Sequence, residues 1–86
     1  MSIKLTKGET PNETRLTIGS LTLYFSYETI IAYTHKNITV FCENVWSSTT
    51  SKHLNRIPGN REHNTLPYAA FTESLDRVLR YYGLEN

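Results

Sequence analysis

Apolar and polar positions alternate through the first half of the chain, and the alternation is broken at short intervals by turn residues. Residues 3–7 (Ile-Lys-Leu-Thr-Lys) predict a short, half-buried strand of edge type. Residues 8–12 carry Gly, Pro and Asn and read as a turn. Residues 14–18 alternate again with Leu16 and Ile18 on one face, and residues 21–25 follow with Leu21, Leu23 and Phe25 inward. Between them Gly19-Ser20 is either a hairpin turn or a bulge in one long strand. Residues 26–29 form a polar turn. Two β-rich runs, 30–34 and 38–43, then flank Lys36-Asn37 at the position of a two-residue hairpin loop.

At Asn44 the character changes. Five consecutive hydroxyl residues, 47–51, suit a helix N-terminus, because Ser and Thr cap free backbone N–H groups. A short helix over about 48–56 would set Leu54 and Ile57 against the sheet, and Pro58-Gly59 would end it. Residues 58–66 read as a polar loop. Pro67 suits the first position of a last helix, in which Phe71, Leu75, Val78, Leu79 and Tyr82 share one face. Glu73, Asp76, Arg77 and Arg80 take the other side, acidic residues first and basic ones later, and Gly83 ends the helix. The expected fold is α+β over a single domain, 1–86. An antiparallel sheet of about five strands is followed by a short helix and a longer C-terminal helix packed on one face. The second sheet face, carrying Thr22, Tyr24, Tyr33 and Thr39, is then wet or holds a partner.

Composition narrows the function classes. With 86 residues there is room for one domain and a thin core, to which a homodimer would add burial. Nine Lys and Arg against eight Asp and Glu give a net charge of +1, which excludes a strongly basic nucleic-acid module and an acidic DNA mimic. The single cysteine excludes an internal disulfide framework, and Cys42 lies in an apolar stretch as a small core residue. No apolar run approaches the roughly 20 residues of a membrane span, and the first residues lack the apolar core of a signal peptide. An intracellular protein with no membrane partner is expected.

The chemistry-bearing residues are sparse. His35, His53 and His63 are dispersed, no Cys/His pair has zinc spacing, and the known Gly-rich nucleotide loops are missing, so no metal or cofactor is expected. Ser48 and His53 fall on different helix azimuths, Glu28 and Glu43 read as solvated carboxylates at strand ends, and no catalytic residue is assigned. The 46–56 segment is more suggestive. Ser48, Thr49 and Thr50 offer hydroxyls near a helix N-terminus, Lys52, His53 and Arg56 add cationic or donor groups, and Trp46 suits ring stacking. Tyr24, Tyr27 and Tyr33 complete the candidate binding set. The purely structural alternative is that Ser and Thr cap the helix, Trp46 fills the core, and Lys52 and Arg56 are solvated.

Two blocks carry a resemblance. Leu23-Tyr24-Phe25-Ser26-Tyr27-Glu28-Thr29-Ile30-Ile31-Ala32 and Glu43-Asn44-Val45-Trp46-Ser47-Ser48-Thr49-Thr50-Ser51-Lys52-His53-Leu54-Asn55 resemble a family of small tailed-bacteriophage proteins. In that family a Tyr-x-Ser-Tyr-x-Thr stretch precedes Asn-x-Trp-Ser-x-Thr-Thr-Gly-Lys-His-Leu; Ser51 stands here where glycine is common. The likeness spans residues 20–57 and brings no established activity with it. It implies a phage accessory protein at work in the host bacterial cytoplasm. The function expected is non-enzymatic: binding and inhibiting a host defence or regulatory protein. The alternatives are a sponge for a signalling nucleotide or other phosphate ligand, and a weak nucleic-acid-binding protein, which the near-zero net charge disfavours.

Overall fold

Residues 3–7 and 12–84 are described by the computed structural model, with only the backbone of Ile3 and Lys4. The 8–12 turn lies outside the described residues except for Asn12. The strands are β1 (Ile3–Lys7), β2 (Glu13–Ile18), β3 (Leu21–Ser26), β4 (Thr29–His35), β5 (Ile38–Cys42) and β6 (Thr65–Leu66). Helix α1 (Ser48–Asn55) joins β5 to β6, and α2 (Tyr68–Tyr81) ends the fold. Sheet order follows chain order from β1 to β6. The first five strands form an antiparallel meander, in which β2 to β5 are joined by two-residue turns.

Gly19-Ser20 is a hairpin turn, with Gly19 at φ 59°. Lys36 and Asn37 both take left-handed backbone, φ 51° and 70°, the pairing that matches the twist of a two-residue hairpin. Tyr27 does the same at φ 57° in the Tyr27-Glu28 turn, and its amide donates to the Asn12 carbonyl at 2.7 Å.

The sheet is covered on both faces, where a two-layer arrangement was expected. The α2 face holds Leu21, Leu23, Tyr33, Cys42 and Phe71, with Leu75, Val78, Leu79 and Tyr82 of the helix packed beside them. These are the positions the helical spacing predicts. The opposite face packs Tyr24, Ile31, Ala32 and Phe41 against Leu54, with Ile57 beside them. A bulge makes that face possible. Tyr24 pairs with Ala32 but Phe25 pairs with Ile30, so Ile31 is the extra residue and points with Ala32 rather than against it.

Tyr33 accordingly parts from Tyr24. It lies opposite Leu23 on the α2 face, where its hydroxyl shares a hydrogen bond with Ser74. Thr22, Tyr24 and Thr39 keep to the α1 face. There Thr17, Thr22, Thr34 and Thr39 stand in one row across β2 to β5, with hydroxyl pairs at 3.2 Å (Thr17 and Thr22) and 2.6 Å (Thr34 and Thr39).

The 58–66 stretch is not all loop. Thr65 and Leu66 run parallel to Phe41 and Cys42, with the Phe41 amide donating to Asn64 and the Glu43 amide to Leu66. A parallel strand needs a crossover, and α1 with the loop after it supplies one. That loop passes close over the sheet at Gly59 (φ 131°), where a Cβ would lie 2.9 Å from Cβ of Thr39. No helix among the described residues is long and apolar enough to cross a membrane.

Candidate functional site

Helix α1 is set in place by its own sequence. Asn44 accepts from the Trp46 amide and donates to the Ser47 carbonyl, and Ser47 Oγ accepts from the Thr50 amide at 3.4 Å. Ser47 is thus the N-cap that the hydroxyl run predicts. From there Thr50, His53 and Leu54 fall on the inward face, and Arg56 follows at the C-cap.

A buried polar chain ties this face to the sheet. Ser26, at the end of β3, shares hydrogen bonds with His53 Nδ1 at 2.6 Å and Thr50 Oγ1 at 3.3 Å. On the other side of the ring, His53 Nε2 lies 3.5 Å from Glu13 Oε1, and Glu13 is ion-paired with Arg56. Ser26, His53 and Glu13 are 3%, 5% and 8% exposed, so each needs its partners. The chain is satisfied when Ser26 donates to Nδ1 and the ring proton sits on Nε2, facing Glu13. Arg15 adds a bond from Nη2 to the Arg56 carbonyl at 3.3 Å and places its guanidinium 5.1 Å from the centre of the Tyr24 ring. The Tyr24 hydroxyl in turn reaches Thr34 at 3.0 Å.

Ser26, His53 and Glu13 have the composition of a nucleophile, a base and an orienting acid. Yet Ser26 is buried, and the cavity beside His53 and Glu13 is about 20 Å³, room for one water. The group works here as a lock between β2, β3 and α1.

Larger hollows lie outside the lock, two of them beside α1. One, about 270 Å³, is lined by Asn12, Thr49, Lys52, His53 and Arg56. The other, about 540 Å³, is lined by Asn12, Tyr27, Glu28 and Thr29. They share Asn12, and Tyr27 of the larger and His53 of the smaller have ring centroids 6.0 Å apart.

The structure therefore divides the residues singled out from the sequence. Thr49, Lys52, His53, Arg56 and Tyr27 come together around these hollows, with Thr50 behind them. Tyr24 is buried beneath Arg15, and Ser48 is exposed in the first turn of α1 without lining either hollow. Trp46 neither fills the core nor joins this group. It is 38% exposed and meets Tyr68, at the start of α2, edge to face at 6.1 Å. Glu43 accepts from the Tyr68 amide at 2.7 Å, whereas Glu28 lines the larger hollow. His35 packs against Tyr81 and Tyr82, away from His53. Among the described residues no group of three His, Cys, Asp or Glu is placed to hold a metal. Cys42 is fully buried on the α2 side, and burial, followed by the neighbouring Glu43 charge, pushes its thiol up to about 11.

Sequence reasoning missed Glu13, Ser26 and Asn12. Ser26 falls inside the first resembling block, which was its one signal. Asn12 precedes β2 and Glu13 opens it, and neither carries a local pattern.

A model of a family of unknown function, DUF8033, matches residues 3–73, and the chain belongs to that family. No curated protein and no solved structure matches it.

Proposed function

We propose that this DUF8033 member is a non-enzymatic bacteriophage accessory protein that acts by binding, with a host defence or regulatory protein as its target. The observation that carries the binding reading is the pair of adjoining hollows beside α1. Their walls hold exposed Thr49, Lys52, Tyr27 and Glu28 on a frame fixed by the buried Glu13–His53–Ser26 chain. Rigid elements that present adaptable polar groups suit recognition. The groups that chemistry would call on, Ser26 and Cys42, are turned inward instead. Phage origin and action in the host cytoplasm rest on the resemblance of the 23–32 and 43–55 blocks. A protein partner is tested by capture from bacterial lysate with the wild type and with Lys52→Glu and Thr49→Arg. A host protein held by the wild type is expected to be lost from both variants with unchanged unfolding midpoints; equal capture by all three would move the site elsewhere.

A second reading is favoured by one further observation. Lys52 and Arg56 border one hollow together with His53, whose ring centroid lies 6.0 Å from that of the exposed Tyr27 in the wall of the other. Cations beside an aromatic face are what a nucleotide requires, so the protein acting as a nucleotide sponge is the alternative.

A further inference from the structure

The two hollows differ in chemistry. One has Lys52 and Arg56 in its wall; the other has Glu28 beside Tyr27, a residue 55% exposed. Asn12 lines both, and the Tyr27 backbone is pinned to it by a 2.7 Å hydrogen bond. The hollows measure about 270 Å³ and about 540 Å³, against the roughly 300–1,000 Å³ of small-molecule sites. An anion belongs at the first end and a donor-bearing planar group at the second.

Resting on the nucleotide reading above, we infer that these two neighbouring hollows together take a guanine mononucleotide, its phosphate on Lys52 and Arg56 and its base on Tyr27 with the Glu28 carboxylate at its edge. A carboxylate only accepts, and it accepts best from two parallel N–H groups. Guanine presents N1–H and the N2 amino group side by side. Adenine and cytosine each place a ring nitrogen acceptor next to their amino group, and uracil flanks its N–H with two carbonyls, so each sets a lone pair against the carboxylate. Base recognition by stacking on an aromatic ring and reading the Watson–Crick edge follows the same logic in single-stranded nucleic acids.

Thermal unfolding of the full chain with GMP, AMP, inorganic phosphate and a short guanine-containing RNA tests this. GMP is expected to raise the midpoint more than AMP or phosphate does. Glu28→Gln, an exposed turn substitution, is expected to weaken GMP binding roughly tenfold or more and to erase the preference over AMP. Tyr27→Asn keeps a residue that tolerates left-handed backbone and removes the ring, so it too should lose GMP affinity with the fold intact. Equal shifts with GMP and AMP would overturn the guanine assignment and leave the nucleotide reading standing. No shift with any nucleotide would overturn both. A shift with the RNA and none with GMP would make the ligand a strand and overturn the mononucleotide.

Discussion

At the scale of residues, His53 holds two roles that must be separated. Its ring borders the smaller hollow, yet it is 5% exposed and bonded to Ser26 on one side and near Glu13 on the other. Removing it strands buried polar groups, which costs about 1–3 kcal/mol each. His53→Ala is therefore expected to lower the urea unfolding midpoint clearly, while Lys52→Ala, on the exposed side of the same helix, stays within about 0.5 kcal/mol of wild type. A change in function on mutating His53 would not by itself report binding; the same change at Lys52 would. Arg56 resembles His53 here, because its ion pair with Glu13 is part of the lock.

At the scale of elements, the turns set which face each strand shows. Lys36-Asn37 closes β4 onto β5 with both residues left-handed, so the His35–Ile38 and Thr34–Thr39 pairings follow from turn geometry. Asn tolerates that backbone and a β-branched residue does not. Asn37→Val is expected to cost about 1–2 kcal/mol, read as a drop in unfolding free energy by denaturant titration. The Phe25–Ile30 bulge acts oppositely. It breaks the alternation, and in doing so it delivers Ile31 to the cluster under α1. The Gly59 crossing then lets the chain return over Thr39 and Phe41 to place β6.

At the scale of the whole molecule, one sheet serves two layers. The α2 side is the drier, with Cys42 fully buried among Leu, Tyr and Phe. Burial favours the thiol over the thiolate, so the folded chain keeps that proton to about 11 while an unfolded chain releases it near 9.0. This contribution to stability is complete below the unfolded value and is lost as the pH rises from there through the folded value. Between about pH 8 and pH 10, wild type is expected to lose more unfolding free energy than Cys42→Ala, which has no such proton. The α1 side is the wetter, with a threonine row, a buried polar chain and the two hollows. The contrast places the candidate site on one side of the sheet.

Local pattern determined most of the elements. Alternation gave the first five strands, the Lys36-Asn37 pair gave its hairpin, the hydroxyl run gave the cap of α1, and the spacing from Phe71 to Tyr82 gave the buried face of α2. Each of these signals lies within a few neighbouring residues, where backbone preference and period act directly. Tertiary structure alone decided the rest. The bulge, the sheet face given to Tyr33, the parallel pairing of Thr65 and Leu66, and the covering of the second face by α1 all depend on residues distant in the chain. So does the site. Glu13, Ser26 and His53 are separated by 13 and 27 positions, and their burial becomes tolerable only when folding brings each to the others as a hydrogen-bond or charge partner.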